Sequence, residues 1–176
     1  MPDYVSFGGP GYFAMLGLLA FARGMDFLST WIATPNLVLE GNPLAKKLGW
    51  KKSIVLNIVM CVGFAFSPLP AVVISTTSVL VASRNFQQAW LMRALGEEFY
   101  RSWHIARLFE SSRPLYLFCL FAQTGLIAIV GGALIWFSRE FAVTAAIGWG
   151  VVAYAAAVAF YTLLSLWRMG RLAGQN

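Results

Sequence analysis

A chain of 176 residues that is 59% hydrophobic, 15% aromatic and only 11% charged, with a mean hydropathy of +0.69, has too little polar surface to face water on all sides. Soluble domains carry about 25% charged residues, so lipid is the expected solvent. The formal charge of +6 is therefore an orientation signal beside membrane helices before it is anything else, and no nucleic acid is expected as a partner.

The opening segment, MPDYVSFGGPGY, lacks a basic stretch, and no A-x-A-like site follows the apolar run, so a cleaved signal peptide is not expected. A first membrane span is predicted near 12–34. It is followed by LEGNPLAKK, in which Asn42 is a good N-cap and Pro43 a good first helical residue. PLAKKLGWKK is then a short interfacial helix or the first turns of a second span near 51–67. The prolines of Ser67-Pro68-Leu69-Pro70 suit a turn into a third span near 70–95. In GEEFYRSWHIARLFESS, at 96–112, Phe99, Trp103 and Ala106 share one face. Glu97 and Arg101 form an i, i+4 pair on another, so an amphipathic helix on the membrane surface is predicted. Spans near 114–137 and 141–167 complete an all-α bundle, one transmembrane domain over 1–176.

The stretch from Ser53 to Leu95 also reads as one kinked span and a soluble helix, and charge decides between the two. With five spans, Lys46, Lys47, Lys51, Lys52, Arg93, Arg101, Arg107, Arg113, Arg168 and Arg171 fall on one side and Arg139 alone on the other. The positive-inside rule then puts the N-terminus outside and the C-terminus in the cytoplasm. Cys61 and Cys119 sit in apolar runs and read as small buried thiols. In the last span, Ala146-x-x-x-Gly150 and Ala153-x-x-x-Ala157 have the small-residue spacing of close helix contacts. That contact is either internal packing or an association with another copy or a partner subunit.

Charged residues inside the spans carry the functional question. Counting 1.5 Å per residue from the inner helix ends puts Asp26 at ~12 Å, Arg84 at ~16 Å and Asn57 at ~9 Å, one polar stratum. On a helical wheel, Arg23, Asp26 and Thr30 fall within about 60° of arc. Thr77, Arg84 and Gln88 share a face, flanked by Asn85 and Gln87, and Ser53, Asn57 and Cys61 form an i, i+4, i+8 stripe. Each ionised group at a helix centre costs roughly 2.5–3.5 kcal/mol. A counter-ion for Asp26 is therefore expected, either Arg84 from the third span or Arg23 one turn away, with Asn57, Gln88 and Thr30 completing the hydrogen bonds. Glu40, ahead of the Asn42 cap, is expected to fold back toward Asp26.

Asp26-x-x-Ser29-Thr30 followed by Glu40-x-Asn42-Pro43 resembles the signature of an uncharacterised family of small prokaryotic membrane proteins. The resemblance covers roughly the first three spans, with Gly41 where that family's pattern has alanine. It implies a shared site at Asp26, Thr30, Glu40, Asn42 and Pro43 and a prokaryotic inner-membrane location. It implies no activity, substrate or cofactor.

Three classes of function compete. The favoured one is a non-catalytic polytopic protein, an accessory or assembly subunit of a membrane complex, whose buried charges lock the bundle. A transporter or ion-binding protein would use the polar stratum as a path, although no inverted repeat is evident. An intramembrane enzyme would use Asp26 and Glu40 as paired carboxylates or metal ligands, but the chain has no H-E-x-x-H, G-x-S-x-G or Cys/His cluster. No cofactor or metal is assigned. The single histidine, His104, lies in the surface segment, which argues against a buried bis-histidine haem.

Overall fold

The computed structural model describes residues 4–138 and 140–173. Arg139, used in the orientation argument, lies outside them, and so does the side chain of Arg171. The described residues form α1 (Pro10–Ala33), α2 (Pro43–Phe64), α3 (Pro68–Leu95), α4 (Glu97–Glu110), α5 (Arg113–Phe137) and α6 (Ala142–Ala173), with no strand among them. Proline opens α1, α2, α3 and α5. Its fixed φ suits the first helical turn, where the missing N–H has no partner to lose.

Four helices are long and apolar enough to cross a membrane: α1, α3, α5 and the Ala142–Arg168 stretch of α6. The chain thus has the architecture of a multi-pass helical membrane protein. The expected second span is not among the four. Lys46, Lys47, Lys51 and Lys52 crowd the first half of α2, which leaves Ser53–Phe64, ~18 Å of helix, free of charge. Gly49 breaks α2 at φ 68°, ψ −179°, a backbone geometry that other residues adopt only under strain, and so separates the first turns, with Lys46 and Lys47, from the longer segment that begins with Lys51 and Lys52. Gly96, at φ 78°, does the same between α3 and α4.

The core is a row of helices in which α3 packs against both α1 and α6, and α6 in turn against α5. The α1–α3 contact has a sequence basis. On α1 the buried Tyr12, Leu19, Ala22, Ser29 and Ala33 are joined by Met15 and Asp26 into steps of three and four. On α3 the buried Ala71, Ser75, Ser78, Ala82 and Ala89 are joined by Asn85 in the same rhythm. Steps of three and four keep one face toward a partner over several turns. Alanine and serine on both sides let the backbones approach closely, which drives helix association where lipid removes the hydrophobic incentive. Both helices run the same way, since Arg23 reaches Ser78 and Ser29 accepts from Asn85 at nearly constant sequence offset.

On the opposite side, glycine sets the spacing of α6. A Cβ at Gly148 would stand 2.7 Å from the carbonyl oxygen of Gly131 on α5, and one at Gly150 would stand 2.6 Å from Thr76 Cβ on α3. Thr77 fixes the same crossing by donating to the Gly150 carbonyl at 3.0 Å. The Ala146/Gly150 pair is therefore internal packing, whereas Ala153 is exposed. Cys61 is buried as expected; Cys119 is not, because its side of α5 faces outward.

Because Gly150 meets the Thr76 β-carbon and the Val73 carbonyl oxygen, neither of which can swing away, Gly150→Ala should destabilise the bundle by about 1–3 kcal/mol. Gly24→Ala, with nothing within 4 Å of its added methyl, should be neutral or stabilising by up to about 1 kcal/mol. Thermal unfolding of the two variants in the same detergent checks the contrast.

Candidate functional site

Three helices place polar side chains around Arg23. Its Nε donates to Asn57 Oδ1 on α2 at 2.6 Å. Its Nη1 donates to Asp26 Oδ2 at 2.8 Å and to Ser78 Oγ on α3 at 3.1 Å. Asn57 is itself anchored, since its amide donates to the Ser53 carbonyl one turn back at 2.7 Å. One turn further along α1, Asn85 of α3 donates to Ser29 Oγ and to Thr30 Oγ1, both at 3.3 Å. The Ser29 hydroxyl donates in turn to the Asp26 carbonyl oxygen at 2.9 Å.

Of the expected set, Arg23, Asp26, Asn57, Thr30 and Asn85 are joined by hydrogen bonds, but the central pair differs. Asp26 pairs with Arg23 and not with Arg84. The reason lies in the seam. Ser78 and Asn85 occupy the face of α3 that meets α1, while Arg84 shares the face of Thr77, which meets α6. A 100° step is enough to take Arg84 off the α1 contact. Gln88 is exposed and makes no hydrogen bond among the described residues, so it does not join the cluster either. The Ser53–Asn57–Cys61 stripe does face inward, with Ser53 and Cys61 buried and Asn57 on Arg23.

Beyond the C-terminal end of α1 the chain forms a tight loop that carries the second motif. Asn42 caps α2 as expected, its Oδ1 accepting from the Leu44 N–H at 3.0 Å. Glu40 accepts from the Asn42 N–H at 2.7 Å. Burial pushes the Glu40 carboxyl above its ordinary value, against the pull of that hydrogen bond and of the Lys46 ammonium. Glu40 lies within electrostatic reach of Asp26, with no hydrogen bond between the two carboxylates. Lys46 donates to the Val38 carbonyl at 3.2 Å, and the Trp50 indole N–H donates to the Pro35 carbonyl at 2.8 Å, tying α2 to the loop.

Glu97, the first residue of α4, is expected from the sequence to pair with Arg101; in the structure it meets the loop after α1 instead. Its Oε2 accepts from Thr34 Oγ1 at 2.8 Å and from the Val38 N–H at 3.1 Å. Its Oε1 accepts from the Asn36 N–H and side-chain amide, both at 3.0 Å. One carboxylate thus satisfies the loop that leaves α1, and Thr34 passes the effect on by accepting from the Leu39 N–H at 3.1 Å. The available signal was the Gly96–Glu97 junction, where a helix break places an acid beside the end of α1. Nothing in the spacing says which loop it would meet. His104, expected at a surface position, lies on α4 with its ring stacked on Tyr100 at 5.8 Å between centroids.

Arg23 has a carboxylate, an amide oxygen and a hydroxyl as acceptors from its own chain. No group of three or more His, Cys, Asp or Glu able to hold a metal occurs among the described residues.

Burial opposes ionisation of Glu97, but the four hydrogen bonds it accepts together outweigh that and hold its carboxyl below the usual glutamate range. A carboxyl lowered in the folded state stabilises the fold fully above its unfolded value and loses that contribution as pH falls through the folded value. Glu97→Gln should lower stability at pH 7 by about 1 kcal/mol, allowing for its solvent exposure. The gap between wild type and variant should close on acidification toward pH 3–4. Paired melting curves across that range give the measurement; a gap that is constant with pH would refute the clamp.

Comparison of the chain with known protein families, with curated proteins and with solved structures finds no match.

Proposed function

We propose that this protein is a non-catalytic multi-pass membrane protein, an accessory or assembly subunit of a prokaryotic inner-membrane complex, in which the Arg23 cluster locks α1, α2 and α3 together. The observation that carries this reading is that Arg23 donates at once to Asp26 on α1, Asn57 on α2 and Ser78 on α3. A cluster whose partners all come from the bundle has a structural task without any ligand. The resemblance at Asp26, Thr30, Glu40, Asn42 and Pro43 fits the same picture, since those residues belong to the cluster and to the loop above it. Other subunits, or a second copy meeting the exposed Ala153 side of α6, are the partners this reading calls for.

The reading includes five spans. In its support, α2 runs antiparallel to α1 along most of the membrane-facing length of α1. Trp50 meets Phe27 with ring centroids 5.9 Å apart, and the Val5 N–H donates to the Phe66 carbonyl at 3.0 Å at the opposite end. The stretch from Trp50 to Phe64 is ~21 Å of helix, and lysines at its end extend that reach by placing their ammonium groups among headgroups. Exposed Ile54, Val55, Ile58 and Val59 suit a lipid-facing side. Exposed Phe99 and Trp103 on α4 suit a helix lying on the bilayer.

The lock is tested by a double-mutant cycle. Arg23→Gln and Asp26→Asn should each cost ~3 kcal/mol, because each strands a partly buried charge, and the double variant should cost less than their sum. Simple additivity would remove the lock. A double variant that folds well yet fails in the cell would point instead to a working site, the transport or enzyme reading built on Asp26 and Glu40.

Topology is tested by labelling. Three spans before α4 put residue 4 and residue 102 on opposite sides of the membrane, whereas two spans put them on the same side. In a Cys61→Ala, Cys119→Ala background, an impermeant maleimide added outside should modify Tyr4→Cys and spare Ser102→Cys. Equal labelling of both would exclude five spans, and the inverse pattern would reverse the orientation.

A further inference from the structure

Arg84, displaced from the Asp26 pair, faces a different surface. It makes no ion pair or hydrogen bond among the described residues, although Tyr116 of α5 lies within its electrostatic reach. It lines an open groove of about 480 Å³ between α3 and α5, floored by α6. That volume falls within the range of small-ligand sites, about 300–1,000 Å³. The groove has a polarity along its length. Toward the α4 end lie Ser83, Arg84, Gln87 and Gln123; toward the middle of the helices lie Leu80, Ile127, Val130 and Val151. The side chains of Ser83, Gln87 and Gln123 make no hydrogen bond among the described residues. Trp90, 70% exposed six residues beyond Arg84, sits ~9 Å nearer the α4 end, at a level that suits the interface.

We propose that this groove binds an anionic lipid of the leaflet on the α4 side. The headgroup phosphate is drawn down to Arg84 with Gln87 and Gln123 as further donors, and an acyl chain lies along Leu80, Ile127, Val130 and Val151. Charge complementarity demands an anion: a guanidinium in a low-dielectric groove needs a counter-charge, and the acid that could have supplied it, Asp26, belongs to Arg23. The order of the lining selects the source. Donors toward the headgroups and methyl groups toward the bilayer centre repeat the polarity of a lipid molecule, and basic pockets between spans are recognised anionic-lipid sites. A partner helix bearing an acidic side chain would satisfy the charge but has no need of that gradient.

The test uses the full chain in nanodiscs of phosphatidylglycerol or of phosphatidylcholine, read by thermal unfolding, and native mass spectrometry of protein released from mixed nanodiscs. Wild type should melt higher in phosphatidylglycerol and retain it over phosphatidylcholine by tenfold or more. Arg84→Gln, which removes the charge, and Val130→Trp, which fills the apolar half while keeping Arg84, should both lose the preference. Arg101→Gln, which removes an exposed charge elsewhere, should keep it. Val130→Trp keeps the test valid should Arg84→Gln fold poorly. The proposal is overturned if wild type shows no preference or if both groove variants keep it. It is also overturned if wild type is released lipid-free as a complex with a second chain that Arg84→Gln dissolves, the signature of an acidic partner helix.

Discussion

The bundle depends on the close approach of α1 to α3. Lipid tails give two apolar helices no reason to prefer each other over their surroundings, so contact must come from packing and from polar groups that cannot be satisfied in hydrocarbon. Alanine and serine at the seam supply the first, and Ser78 and Asn85 supply the second by meeting Arg23, Ser29 and Thr30 across it. The two effects reinforce each other. Small residues bring the backbones near enough for short polar side chains to touch, and those contacts then fix the register of two parallel helices.

Once that seam is set, much of the remaining arrangement follows. Arg23 sits at its edge, where its guanidinium spans to Asn57, so the same residue that neutralises Asp26 also recruits α2. The end of α1 is held by Glu97 after the turn at Gly96, which links the lower end of α3 to the loop that leads into α2. On its other face α3 meets Gly150, so α3 is gripped from both sides. Arg84 is what remains: a charge at the depth of the cluster but on the side where the helices part. The two arginines inside the apolar helices thus differ: Arg23 finds acceptors on three helices of its own chain, and Arg84 lines an open groove.

The sequence by itself determined that the chain is helical and belongs in lipid, because composition leaves too few charged residues to solvate it. It also placed the start of α2 at Asn42 and Pro43, whereas Pro68 and Pro70, expected in the turn ahead of a third span, form the first turn of α3. Pro10, Pro43, Pro68 and Pro114 act locally, and Asn42 caps α2 through a contact only two residues away. Depth was legible too, since residue count along a helix converts directly to height, and Arg23, Asp26 and Asn57 do share a stratum. The regular three-and-four spacing of small residues on α3 was also present in the letters, and it separates Asn85 from Arg84.

What only the tertiary structure decided was azimuth and partnership. Adjacent residues on a helix differ by 100°, and which of two polar faces meets a neighbour depends on where every other helix packs. That is why Asp26 belongs to Arg23 and not to Arg84, and why Gly150 is spent on α3. It is also why Glu97 closes a loop about sixty residues earlier in the chain and not a salt bridge one turn ahead. Local propensity and depth are properties of one helix, so one segment of sequence carries them. The identity of a neighbour is a property of the whole bundle, settled by which set of contacts leaves the fewest polar groups unsatisfied in lipid.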